Sequence, residues 1–374
     1  MKILTNTSST SYGGIARRAI EMFSDSKSRQ NIEIVVLAIG REKRDFPDNS
    51  IIKYNIELPE SIPKNVCGNL NSYDELCNRF EPVVRTVEDI INIEKPDVAF
   101  IEGTYYAPWC FYRAAKRVRM PIVLLYAGIL REEIANWSKT QKEPLMKMER
   151  DFYSLNTHYI FPSNLTKRKV ETEVFKASLP QSSVIPNGIS PEFFINKLVE
   201  EGEGKGEGIG WIGRSSYVKR LDYILQLNNE LRKSCKSYKI HIVTDTQPKL
   251  RAELENAGIE VISPMESSKL REFYQRREVI ISPSHFETYG NVPMEAIAAG
   301  TPALVSLNMG VAERFIELGL EDYITDFDNI PATVEKIEHV RLMHFPSEFK
   351  ESLKKYLWSA IFDRYYTTCQ QAIG

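Results

Sequence analysis

Twice along its length this chain alternates short β-rich runs with helical stretches, and no other feature restricts its fold as much. In the first block the runs are "KILTN", "IEIVVLAI", "SIIKYNI", "PDVAFIEG", "PIVLLYAG", "HYIFPS" and "SSVIPNG", most of them separated by helical segments such as "GIARRAIEMF" and "DELCNRFEPVVRTVEDIINIE". Strands interleaved with helices predict a mostly parallel sheet covered on both faces. After "IPNGISPEFF" comes a Gly/Glu-rich connection, "EEGEGKGEG", and the alternation restarts with "GIGWIG", "YKIHIVTD", "IEVIS", "EVIIS", "TPALVS" and "DYIT". The expected fold class is therefore α/β, with two Rossmann-like doubly wound domains joined near residue 190. At 374 residues the chain is long enough for two cores. Its last segment, "SEFKESLKKYLWSAIFDRYYTTC", reads as one amphipathic helix or two, with no strand after it.

Composition narrows the function classes. Hydrophobic residues make up 43%, charged residues 26%, and the formal net charge is -2, without the basic excess of a nucleic-acid binder. "MKILTNTSST" lacks the apolar stretch of a secretory signal, and no uncharged apolar run approaches the ~20 residues that span a bilayer. The five cysteines are scattered, which suits reduced thiols in a cytoplasmic protein.

The stretch "PSHFETYGNVPMEAIAAGTP" sets Glu287 and Glu295 on either side of a Tyr-Gly-Asn turn, between the strand "EVIIS" and a helix closed by Gly300. Such a loop lies at the carboxyl end of an open α/β sheet, where ligands bind. A helix opening there offers unpaired N–H groups and a positive dipole end to an anion.

"VIPNGIS", "IGWIGRSSYVKRLDYIL" and "IISPSHFETYGNVPMEAIAAGTPALVS" follow one another in the order and spacing of a known family, and "YGGIARRAIE" looks like that family's first glycine-bearing loop. The chain resembles the family 4 retaining glycosyltransferases of the GT-B fold, strongly over residues 184–306 and collinearly across the remainder. That resemblance implies two domains facing each other across a cleft. It assigns residues 1–189 to an acceptor-side domain, 190–355 to a nucleotide-sugar donor domain, and 356–374 to a helix crossing back to the first domain.

It also implies roles. Arg214 and Lys219 of "GRSSYVKR" would clamp the donor diphosphate, arginine as a fork and lysine as a point charge, and so stabilise the leaving group without a metal. Glu295 would hold a ribose and Glu287 the donor sugar, with neither carboxylate in a core. Amides around Gly290, Asn291 and Val292 would meet a phosphate or sugar oxygen, and Gly13 and Gly14 would lie beside the diphosphate. Asn187 and Gly188 look like the family's hinge, or a simple turn.

One departure from the family pattern stands out. A histidine often follows the strand that here reads "VLLYAGILREE", but Tyr126 and Ala127 occupy the region. His158 reads as structural and His285 is a lone loop histidine, so Glu102 and Tyr126 are the acceptor-side candidates. "DFD" at 326–328 reads as a loop and helix start rather than a metal site, and "GEGKGEG" as a surface loop rather than a phosphate loop.

The function implied is retaining transfer of a sugar from a nucleoside diphosphate donor, UDP preferred to GDP, to a hydroxyl of a glycan, glycolipid or glycoprotein. No cofactor, metal or nucleic acid is expected. Basic stretches "FYRAAKRVR" and "NLTKRKVETEVFK" leave peripheral contact with an anionic membrane open. A non-catalytic partner subunit and a GT-B sugar-nucleotide epimerase are the rival readings.

Overall fold

The computed structural model describes every residue except 8–13, 41–50, 61, 63–65, 68–69, 71, 196–207, 235–237, 344 and 346. The described chain divides into two units, Met1–Pro186 with Ser359–Gly374, and Asn187–Trp358.

In the first unit, β1 (Lys2–Thr7), β2 (Glu33–Gly40), β3 (Ile52–Glu57), β4 (Val98–Glu102), β5 (Ile122–Leu125), β6 (Thr157–Phe161) and β7 (Ser182–Val184) form one parallel sheet. Its order is β3-β2-β1-β4-β5-β6-β7. Every residue of β4 and β5 is buried, which is why these strands read as continuous apolar runs, up to Glu102 at the end of β4, instead of alternating ones. The helix Tyr73–Glu94 starts at Ser72, whose hydroxyl accepts the Glu75 N–H at 3.1 Å. It ends at Lys95 in the left-handed region and buries Phe80, Val83, Val84, Val87 and Ile91, a stripe at helical spacing. Each such side chain contributes about 1.5–3 kcal/mol of burial.

The second unit repeats the design with β8 (Ile209–Ile212), β9 (Ile240–Val243), β10 (Glu260–Ile262), β11 (Val279–Ser282), β12 (Ala303–Ser306) and β13 (Ile324–Thr325). These too are parallel, in the order β10-β9-β8-β11-β12-β13. In each sheet the first strand lies between the second and the fourth, so the order reverses at β1/β4 and at β8/β11. Crevices at the carboxyl ends of such strand pairs are where open α/β sheets bind ligands.

The C-terminal segment forms two helices, Ser347–Ser352 and Trp358–Ile373, with a short 3-10 turn at Leu353–Tyr356 between them. From Ser359 onward it belongs to the first unit. There Arg29 Nη1 meets Asp363 at 2.6 Å, Tyr366 OH donates to Asp25 at 3.2 Å, and the Tyr365 ring lies 5.3 Å from Phe100. Just before that point the chain runs beside the other crossover, Ile189 N–H donating to Tyr356 O at 2.8 Å and Trp358 N–H to Ile189 O at 3.3 Å. This pairing explains Gly188, where a Cβ would sit 2.4 Å from Trp358 Cδ2. The four described cysteines, Cys67, Cys77, Cys110 and Cys369, are free thiols.

Candidate active site

The switch point of the second unit gathers the residues that the sequence sets in motifs. β8 ends at Ile212 and leads through Arg214 to a 3-10 turn, Tyr217–Lys219, while β11 ends at Ser282 and leads to the loop carrying Glu287. Because β8 and β11 are paired, the two loops leave the sheet side by side. They are stitched together: His285 N–H donates to Val218 O at 2.8 Å, and the Tyr217 and His285 rings lie 4.8 Å apart.

Across this seam Lys219 Nζ meets Glu287 Oε2 at 2.7 Å, and Ser284 Oγ donates to Glu287 Oε1 at 2.7 Å. The Glu287 backbone is fixed as well, its N–H donating to Asn308 O at 3.3 Å and its carbonyl accepting the Gly310 N–H at 3.0 Å. The loop after β12 thus becomes a third wall. Both members of the ion pair stay partly open, at 20% and 16% side-chain exposure, so water or a ligand can reach them. Arg214 is exposed, and among the described residues no carboxylate pairs with it. The arrangement presents one open guanidinium, one ammonium held by a carboxylate, and that carboxylate held by a serine.

The helix Asn291–Ala299 opens at Gly290, whose φ of 98° lies in the region that favours glycine. A Cβ there would come within 2.4 Å of Met309 Cε, the end of a flexible side chain, so it is the conformation that favours glycine. The first amides of the helix, Asn291 and Val292 among them, have no carbonyl within the helix to bond. Asn187 Nδ2 donates to Asn291 Oδ1 at 2.8 Å, tying the "IPNG" segment to this helix start. Gly300, with φ of 92°, closes the helix.

Glu295 differs from its expected setting. It is 5% exposed and accepts a hydrogen bond at 2.8 Å from Tyr274 OH, rather than lying on an open helix face. Tyr274 comes from the preceding helix, Ser267–Gln275, and is itself buried. Ser284 and Tyr274 are the positioning residues that sequence reasoning missed. Ser284 stands three residues before Glu287, a spacing that could have signalled it, whereas Tyr274 belongs to no motif.

In the first unit, Gly13 lies outside the described residues, and Gly14 opens the helix Gly14–Ser26. Glu102 ends β4 at the β1/β4 switch point, but it is fully buried, with Arg18 Nη1 at 2.6 Å from Oε2. Asn6 on β1 brackets its backbone, donating to Glu102 O at 3.0 Å and accepting the Glu102 N–H at 2.8 Å. Burial raises the Glu102 carboxyl above its ordinary range, and Arg18 opposes the rise. Tyr126 is equally buried, and its OH donates to Glu149 at 3.2 Å. Neither acceptor-side candidate presents its polar atoms to solvent. Burial lowers both His158 and His285, with Arg220 adding to the effect at His285.

The remaining motifs have structural settings. Asp326 accepts the Asp328 N–H at 3.0 Å, Asp328 pairs with Arg220 at 2.8 Å, and Asn329 caps the helix Ile330–Val340. "GEGKGEG" lies outside the described residues except for Gly208. Arg117 of "FYRAAKRVR" pairs with Glu81 and Glu88, and Lys169 of the second basic stretch with Glu132 and Glu173. Among the described residues no cluster of three or more His, Cys, Asp or Glu is placed to hold a metal, and no helix is long and apolar enough to cross a membrane.

Comparison with known proteins defines the class. Over 99% of this chain and 98% of the other, the structure superposes on sucrose-phosphate synthase from Thermosynechococcus elongatus with a TM-score of 0.75 at 15% identity. An E. coli structure described as trehalose-6-phosphate bound with UDP-2-fluoro glucose matches over 99% of each chain, with a TM-score of 0.70 at 12% identity. The chain has the GT-B fold. Residues 197–356 match the family Glycosyl transferases group 1. A 41.2 kDa protein in the cps region of Klebsiella pneumoniae, uncharacterized, is 20% identical over 83% of this chain and 89% of its own.

Proposed function

We propose that the protein is a retaining glycosyltransferase that takes a nucleoside diphosphate sugar, UDP-linked in preference to GDP-linked, and transfers the sugar to a hydroxyl of a glycan, glycolipid or protein. The observation that carries this reading is the convergence of Arg214, Lys219 and Glu287 at the β8/β11 switch point. Arg214 and Lys219 supply positive charge to a diphosphate, and the amides heading Asn291–Ala299 add donors beside it. Glu295, steadied by Tyr274, takes ribose hydroxyls, and Glu287 takes the sugar. The UDP preference draws on the UDP-sugar analogue named with the E. coli structure.

On this reading no enzyme nucleophile is needed. The acceptor hydroxyl attacks the anomeric carbon on the face the diphosphate leaves, and a departing phosphate oxygen takes the hydroxyl proton. The C–O bond to the diphosphate breaks as the new glycosidic bond forms. The protein contributes position and charge, with cationic side chains in the place of a divalent metal.

A thermal-shift screen with UDP-glucose, UDP-galactose and GDP-mannose in EDTA tests this reading. A donor at 100 times its Kd stabilises the folded chain by about 2.7 kcal/mol, so a UDP-sugar is expected to raise Tm with the chelator present. Stabilisation that appears only when manganese is added would contradict the metal-free assignment.

A further inference from the structure

Glu149 has no role in the account so far, yet it is 1% exposed and lies at the carboxyl edge of the first sheet. It sits near the end of the helix Lys139–Arg150, and its carboxyl group receives three donors from the segment that follows β5. Leu130 N–H donates to Oε1 at 2.6 Å, Arg131 N–H to Oε2 at 3.2 Å, and Tyr126 OH to Oε1 at 3.2 Å. Between these points Thr104 Oγ1 donates to Gly128 O at 2.8 Å. The Tyr126 ring lies against Phe161 and Phe175, and the Glu149 carboxyl group bonds the two ends of the segment.

We propose that Glu149 is the positioning residue of the segment 126–131, a loop that runs into the short helix Leu130–Glu133: its buried carboxyl group latches the segment to the helix Lys139–Arg150, and its proton sets how firmly the latch holds. That this loop handles the acceptor rests on the function proposed above, but the latch itself does not.

Geometry carries the latch, and electrostatics gives its direction. Burial, opposed by the two amides, Tyr126 and Arg131, pushes the carboxyl up from its ordinary 4.5 to about 7. Tyr126 and Arg131 face it from the loop, and Tyr159 on β6 stands behind Tyr126. The Arg131 side chain itself turns to Glu173, donating to its carbonyl at 2.6 Å. A carboxyl group whose pKa is raised in the closed state holds that state best when protonated, and the advantage is lost as pH rises through the raised value. Opening lets the carboxylate into water, so the loop loosens as pH rises from about 4.5 to about 7 and changes little above that.

Hydrogen exchange of the Leu130 and Arg131 amides, corrected for intrinsic rates, reads this without any substrate. In the full wild-type chain, protection is expected to fall about tenfold between about pH 6 and about pH 8. Glu149→Gln, a neutral mimic of the protonated group, is expected to keep protection level across that range, with His158 still free to titrate. Tyr126→Phe removes a donor that favours the ionised form and is expected to move the fall to higher pH. Wild-type protection that is flat or rises with pH overturns the proposal whatever the variants do, as does a Glu149→Gln curve that follows the wild type. Either result leaves the transferase reading intact, and loss of that reading leaves the latch intact.

Discussion

Lys219→Ala is expected to lower kcat with a nucleoside diphosphate sugar by about 100-fold to 1000-fold, the effect of removing one preorganised group that stabilises developing charge. On the function proposed above, the charge on the diphosphate grows as the donor bond breaks, so the lysine would act more strongly in the transition state than in the ground state. Its ammonium is already oriented by Glu287 at 2.7 Å, and Glu287 by Ser284, so little reorganisation is needed when the donor arrives. The loss should therefore fall on kcat, with a smaller change in KM. Lys219→Arg is expected to restore part of the rate, because charge returns with altered geometry. Fold stability should change by only about 0–1 kcal/mol, since both partners are partly exposed. Steady-state kinetics and thermal unfolding on the same samples separate the two effects, and a Lys219→Ala enzyme with unchanged kcat would remove the lysine from the reaction.

Glu102→Ala should produce the largest stability loss, about 3–5 kcal/mol, because it leaves the Arg18 guanidinium buried without its carboxylate. The position shows why a strand-end acid at a switch point is not by itself a site. Glu102 Oε2 is held by Arg18 from the helix Gly14–Ser26, and Tyr365 of the C-terminal helix packs on Phe100 two residues earlier in β4. Changing Arg18 and Glu102 together to methionine should cost far less than the single change. Denaturant unfolding, followed by hydrogen exchange of β1 and β4, distinguishes this from a catalytic role. A stable Glu102→Ala protein with lost turnover would show that the acid serves chemistry instead.

The sheets were readable in the sequence because parallel strands buried on both faces must be apolar along their whole length. "VAFI", ahead of Glu102, and "IVLL" are such runs, and each is β-strand and buried throughout. The loops after β8 and β11 stand out in the sequence because those strands are followed by short, chemically distinctive segments. What could not be read was pairing across long separations. Arg18 and Glu102 stand 84 positions apart, and Tyr274 reaches Glu295 from a different helix. Nothing local at Glu295 shows that its carboxylate is met by Tyr274, since the contact comes from packing of the helix Ser267–Gln275 against Asn291–Ala299. The same holds for Tyr126, whose phenol is occupied by Glu149, 23 residues onward.

On the proposed function, the β8/β11 switch point of the second unit is a nucleoside diphosphate site built on Arg214 and Lys219. Calorimetric titration of UDP into the full chain, beside the double variant Arg214→Ala/Lys219→Ala and in EDTA, measures it directly. Each charge-assisted contact is worth about 1.5–3 kcal/mol, so Kd is expected to rise by at least about 100-fold in the double variant while its unfolding temperature stays close to that of the wild type. Binding of equal strength in both proteins, or no binding of either UDP or GDP to the wild type, would contradict the assignment.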